Sequence, residues 1–217
     1  MERTTSFNSK YKVGRRMNRE NYKKLISGLS EKELLKNLYA TQLLLLIIAC
    51  GLHIVIFKMR PSIYDLFKVN PIDFGIGAIA GLLVVLLDIW FMKKLPTQYN
   101  DDGGVNKKIF QNRHPLHIAL IALIVAFVEE ILFRGIIQTN LGIVIACLIF
   151  ATLHYRYLFN PFLFINLVSV SIVISILFEW TGNLWVTVIM HFLVDFILGC
   201  ILRYQLFEHT KLTKKEE

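Results

Sequence analysis

Charge is scarce in this chain of 217 residues: 18% are Asp, Glu, Lys or Arg, against 55% hydrophobic. A soluble domain carries about 25% charge, and the mean hydropathy of +0.53 lies on the apolar side of that norm. Disorder, which requires low hydrophobicity and high net charge, is excluded. Cysteine is scarce too. Cys50, Cys147 and Cys200 are odd in number, far apart and each inside an apolar run, which argues against a disulfide framework and a Cys-x-x-Cys metal or redox site. Ile48-Ala49-Cys50 has the small residues of a lipoprotein cleavage site, but the stretch before it is too long and polar for a signal peptide. Neither an internal repeat nor a low-complexity tract is present.

What the chain has in abundance is long apolar runs. Crossing the bilayer takes about 20 predominantly apolar residues, and six stretches approach or reach that length, at 39–57, 74–92, 117–139, 141–158, 161–179 and 183–202. Their charges are Asp88, Glu129, Glu130, Arg134, Arg156, Glu179 and Asp195; the rest lie outside. The expectation is an all-α polytopic membrane protein with six transmembrane helices, and a soluble globular enzyme is excluded. The domains read as a basic arm over 1–38, a transmembrane hairpin over 39–92, a loop over 93–116, a compact four-helix core over 117–202 and a tail over 203–217. Asn140 and Gly142, then Asn160-Pro161, then Thr181-Gly182-Asn183 supply the turns that make the last four spans contiguous.

Basic residues set the expected orientation. Twenty of the 24 lie in the arm, the loop 93–116, the turn at Arg156 and the tail; Lys58, Arg60 and Lys68 lie on the other side. By the positive-inside rule both termini are cytoplasmic, and a bacterial cell membrane is the expected location. The net charge of +8 then reflects contact with anionic membrane lipids and calls for no nucleic-acid partner.

The intramembrane ionisable groups concentrate in the last four spans. From residue counts, Glu129 lies about 18 Å from the cytoplasmic edge and His154 about 20 Å from the outer edge, with His191 and Asp195 about 12 and 18 Å deep. A charge at the bilayer centre costs about 2.5–3.5 kcal/mol on insertion scales, so these groups must satisfy one another or line a hydrated cavity. Glu130 and Arg134, spaced i, i+4, share a helix face and form a supporting pair. Glu129, rotated about 100° from Glu130 on an ideal helix, is left to face a cavity. His191 and Asp195, also i, i+4, form a second pair in which the carboxylate orients the imidazole. A carboxylate in a low-dielectric pocket suits general-base attack by water, and imidazoles can position that water and stabilise an oxyanion.

Glu129-Glu130-Ile131-Leu132-Phe133-Arg134 matches Glu-Glu-x-x-x-Arg, Phe150-Ala151-Thr152-Leu153-His154 matches Phe-x-x-x-His, and His191-Phe192-Leu193-Val194-Asp195 matches His-x-x-x-Asn/Asp. Over about 117–202 the chain resembles the CPBP intramembrane proteases, the family of CAAX prenyl proteases and of bacteriocin-processing or immunity (Abi) proteins. The resemblance implies hydrolysis of a peptide bond in a membrane-associated or lipidated polypeptide. It gives catalytic roles to Glu129 and His154, which would activate water, and to His191 and Asp195 at the oxyanion; Glu130 and Arg134 would support them. Asp195 stands where the prenyl-protein proteases commonly have Asn. The family is often described as metalloproteases, although a metal-free glutamate mechanism has also been argued. His-Glu-x-x-His is absent, and the metal reading is that Glu129, His154 and His191 surround a Zn²⁺. The competing classes are a non-catalytic immunity, scaffold or sensor protein on the same fold and a proton-coupled transporter, for which paired repeats are missing. Asp88, His114, His117 and Glu179 read as interface residues, His53 as satisfied by a neighbouring helix, and Ser169, Ser171 and Ser175 as a packing stripe.

Overall fold

The structure is a computed structural model that describes residues 19–57, 62–96, 99 and 101–206; the ends of the expected arm and tail lie outside the described residues. The described chain is helical, with α1 (Arg19–Ser27), α2 (Glu31–Gly51), α3 (Pro71–Lys94), α4 (Val105–Phe110), α5 (Pro115–Glu130), α6 (Thr139–Leu141), α7 (Ile143–Leu153), α8 (Pro161–Thr181) and α9 (Leu184–Tyr204). Three of the prolines open helices, at Asn70-Pro71, His114-Pro115 and Asn160-Pro161. Proline suits the first helical position because its φ is already helical and its missing N–H would be unbonded there anyway. The Asn70 and His114 side chains accept from the N–H groups of Ile72 and Leu116. A capping box between Ser30 and Glu33 starts α2. The second half of the expected basic arm is therefore folded.

Among the described residues, five helices are long and apolar enough to cross a membrane: 31–55, 71–94, 115–141, 161–181 and 184–204. The chain is an integral membrane protein. The stretch 141–158, expected as a full span, differs. Its α-helix has 11 residues, about 16 Å at 1.5 Å each, too short to span by itself, and a 3₁₀ turn, Tyr155–Phe159, follows it. The α-helix stops because His154 leaves α geometry, at φ −92° and ψ 31°.

The two ends of the bundle are tied by polar side chains. At the basic end, Lys108 Nζ donates to the carbonyls of Ile26, Ser27 and Leu29, Arg203 to those of Arg113 and Gln111, and Asn160 to those of Tyr99 and Asp101. At the other end Asn183, fully buried, accepts from the Lys68 and Trp185 N–H groups and donates to the Lys68 carbonyl and the Asp73 carboxylate. α1 docks at the basic end through Tyr22 and Ile26, which join Leu34, Val105, Ile109 and Ile121 in one apolar cluster.

The two spans expected as a hairpin each pack on helices of the core: α3 chiefly along α9, and α2 on α5. Two glycines one turn apart explain the α3–α9 seam. A Cβ on Gly77 would lie 2.5 Å from the Val186 carbonyl oxygen, and one on Gly81 would lie 2.9 Å from that of Met190. Small residues at this spacing let two membrane helices approach backbone to backbone, where dispersion replaces the hydrophobic effect as the driving force.

α3 and α9 therefore set a sharp test. Gly77→Leu and Gly81→Leu are expected to destabilise the protein by at least the about 1–3 kcal/mol of ordinary overpacking, read as a lower thermal midpoint in detergent. Gly75→Leu, with nothing within 4 Å of its Cβ position, is expected to leave the midpoint unchanged.

At the basic end Asp101 carries a second prediction. Partial burial raises its carboxyl, but the hydrogen bonds from Lys23 and the Gly103 N–H and the charges of Lys23 and Arg19 outweigh that and leave it below the ordinary range. A depressed carboxyl contributes stability above its unfolded value that is lost as pH falls through the folded one. Hydrogen exchange in α1 is expected to be slow at neutral pH and to accelerate as Asp101 protonates, relative to Asp101→Asn.

Candidate active site

The centre of the bundle is the segment that follows the two glutamates. From Ile131 to Gln138 the chain widens into a π-helix, and every residue from Leu132 to Gln138 is buried. Such burial on all sides is possible because α2, α5, α7, α8 and α9 surround the segment. π-turns inside α-helices occur frequently at functional sites, and here one begins immediately after Glu129 and Glu130.

The two carboxylates diverge, as their spacing requires. Glu130, fully buried, points to α9 and its own helix: its Oε1 accepts from Arg134 Nη1 at 3.2 Å and from His191 Nδ1 at 2.8 Å. Arg134, 1% exposed, is held by the Ser171 carbonyl and hydroxyl at 3.1 and 3.0 Å and lies over the Phe150 ring. Glu129 points to α2 and α7. Its Oε1 accepts from Gln42 Nε2 at 3.0 Å, and its Oε2 lies 4.0 Å from His154 Nε2.

The histidines are oriented by what their other nitrogens do. His154 Nδ1 lies 2.8 Å from the Phe150 carbonyl, an acceptor only, so Nδ1 carries the proton and Nε2 faces Glu129. His191 differs from expectation: Glu130 holds its Nδ1, and Asp195 lies 3.5 Å from its Nε2. Asp195 is thus the partner of the outward nitrogen, while the orienting carboxylate is Glu130, whose supporting role includes the imidazole. Glu129, His154, His191 and Asp195 lie near enough to influence one another electrostatically. Side-chain exposure rises from 7% at Glu129 and 11% at His191 to 21% at His154 and 35% at Asp195, so the cluster opens on the side of the last two.

Glu129, His154 and His191 do not form the metal set considered from sequence. Both ring nitrogens of His191 are directed at carboxylates, leaving no lone pair aimed at the Glu129–His154 gap. Among the described residues no group of three or more His, Cys, Asp or Glu is arranged to hold a metal ion.

Gln42 is the residue that motif reading missed. It is an amide 6% exposed in an apolar helix, and a polar side chain in such a run was the available signal. The remaining polar residues divide. His114 caps α5, His117 Nε2 lies 2.9 Å from the Tyr39 hydroxyl, and Asp88 accepts from Asn166 of α8 at 2.8 Å. Ser171 and Ser175 are buried in packing, while Ser169 is exposed. His53, expected to be satisfied, has a buried Nδ1 with no hydrogen-bond partner among the described residues.

The family model for Rce1-like type II CAAX prenyl endopeptidases matches residues 111–197, which include Glu129, Glu130, Arg134, His154, His191 and Asp195. The chain is also similar to the uncharacterized protein YpbD of Bacillus subtilis (strain 168), 39% identical over 178 residues that cover 82% of this chain and 93% of that protein. This protein belongs to the Rce1-like CAAX endopeptidase family. No solved structure matches it. Gln42, which completes the Glu129 environment of this Rce1-like protein, lies outside the matched segment.

Removing one partner of a buried ion pair costs about 3–5 kcal/mol because the other charge is stranded. Arg134→Ala is expected to lose stability on that scale, measured by thermal unfolding in detergent.

Proposed function

We propose that this protein is an intramembrane endopeptidase that cleaves a membrane-associated or lipidated polypeptide by direct attack of water, with its termini and basic loops cytoplasmic. One observation carries the reading: the Glu129 carboxylate and His154 Nε2 face each other across 4.0 Å, and in the neutral imidazole, whose one proton on Nδ1 goes to the Phe150 carbonyl, both are acceptors. Two facing acceptors suit a water molecule, which donates one hydrogen to each and turns its oxygen lone pairs toward the substrate.

In the proposed reaction the water oxygen bonds to the scissile carbonyl carbon as Glu129 takes a water proton. Gln42, donating to Oε1, fixes the carboxylate and leaves Oε2 toward the water. The carbonyl oxygen becomes an oxyanion that accepts from His191 Nε2–H, the nitrogen not bonded to Glu130. Collapse breaks the C–N bond, and Glu129 returns its proton to the departing amine. Glu130 and Arg134 hold His191 and the π segment in place. Asp195 lies beside the same Nε2 and releases that N–H to the oxyanion when substrate enters. No metal takes part in this scheme.

General-base catalysis contributes about 10²–10⁴-fold, so Glu129→Gln and His154→Asn are each expected to slow cleavage at least about a hundredfold with the thermal midpoint retained. The measurement compares newly formed peptide termini in membranes carrying wild type and Glu129→Gln, with and without a chelator. Termini that persist in the variant refute the catalytic reading; loss of wild-type cleavage on chelation refutes the metal-free mechanism.

A further inference from the structure

Two places after His154 stands Arg156, in the run Tyr155-Arg156-Tyr157 of the 3₁₀ turn. Because α7 stops at Leu153, this run turns back toward the imidazole: Tyr157 stacks on the His154 ring, with centroids 6.2 Å apart and planes at 23°. The Arg156 guanidinium lies over the Tyr157 ring at 4.6 Å. Its Nη2 donates to the Tyr157 hydroxyl at 2.7 Å and to Asn106 Oδ1 of α4 at 3.3 Å. A half-buried cation is thereby fixed on the side where the cluster opens, near enough to act electrostatically on both His154 and Asp195.

The hydrogen-bonding capacity of this cation is only partly used. Both acceptors are neutral, and among the described residues Nε and Nη1 meet no acceptor. Asp102, a second carboxylate within its electrostatic reach, accepts from the backbone N–H groups of Gly104 and Asn106, one at each oxygen. Asp195 is the converse case. Its one polar contact among the described residues is His191 Nε2 at 3.5 Å, whereas Glu130 has Arg134 and Glu129 has Gln42. Charges at this depth persist when they are compensated. Surplus donors and a carboxylate short of donors therefore stand on the same side of the site.

We infer that Arg156 is a positioning residue of this site: its unused N–H groups receive the Asp195 carboxylate when substrate displaces it from His191, leaving the His191 Nε2–H to the oxyanion. The inference rests on the proposed hydrolysis, in which Asp195 must leave that nitrogen. Tyr157 and Asn106 hold the guanidinium through Nη2 alone, so those bonds need not break while Nε and Nη1 serve Asp195. Without Arg156 the carboxylate has no other partner, stays on Nε2 and competes with the oxyanion for one proton. Glu129 and its water are untouched by that competition.

The test is a double-mutant cycle between Arg156→Gln and Asp195→Asn in the full-length protein, with two readouts. One is the rate at which Glu129-dependent peptide termini form in membranes; the other is the ¹⁵N resonance of His191 Nε2 in detergent, assigned by its loss in His191→Gln. With Asp195 present, Arg156→Gln is expected to slow cleavage about tenfold and to move the resonance, and Arg156→Lys to restore most of the rate. In the Asp195→Asn background Arg156→Gln is expected to change neither. Equal slowing in both backgrounds, or a resonance that Arg156→Gln leaves in place, overturns the proposal. So does a loss of rate and thermal midpoint in Arg156→Gln that Asp195→Asn does not repair, which assigns Arg156 a structural role. Termini that persist in Glu129→Gln refute the hydrolysis instead, and the resonance then decides by itself whether Arg156 governs the contact between Asp195 and His191.

Discussion

The Glu130 carboxylate is the constraint from which the interior follows. It lies in an apolar bundle, out of reach of bulk water, and one of its oxygens takes donors from two directions, Arg134 one turn along and His191 on the last helix. A buried charge of this kind persists only when compensated. Compensation here forces the π segment, α8 and α9 into one arrangement, because the guanidinium that neutralises Glu130 is itself held by Ser171. The same bond that satisfies the carboxylate decides which nitrogen of His191 turns outward. Electrostatic satisfaction and preparation of the cluster are one event.

Around that centre, close packing does what water cannot. Helices in lipid gain little from burying apolar surface against each other, so the fold relies on approach distance and on polar ties at the ends. Gly77 and Gly81 bring α3 onto α9, Asn183 fastens both to the chain around Lys68, and Asn160 and Lys108 close the basic end. α9 can therefore present His191 and Asp195 on one face while its other face is held by glycines. The short α7 contributes by stopping early. Because it ends at Leu153, His154 stands at a helix terminus, where Nδ1 can reach a carbonyl and Nε2 is free.

Much of this was legible in the residues. The apolar runs gave the helical class, and the helix-opening Asn-Pro and His-Pro pairs marked three starts. Glu129 and Glu130, being adjacent, could not share a face, and they diverge as that geometry requires. Gln42 was hidden because it stands in a different span, 87 positions from Glu129, with no motif linking them. The role of Asp195 was misplaced because i, i+4 spacing says that two side chains are near, but not which nitrogen of a ring the nearer competitor, Glu130, has taken.

The amino-acid sequence by itself determined that the chain lives in a membrane, that it is helical, and which polar groups must find partners there, since the cost of an unpaired charge in hydrocarbon depends on composition and depth alone. Tertiary structure alone decided who those partners are: that α3 lies on α9 rather than on α2, that Gln42 reaches Glu129, that Glu130 and not Asp195 fixes His191, and that the three candidate ligands do not point at one centre. These are matters of direction and distance between segments far apart along the chain, set by packing that no local pattern encodes.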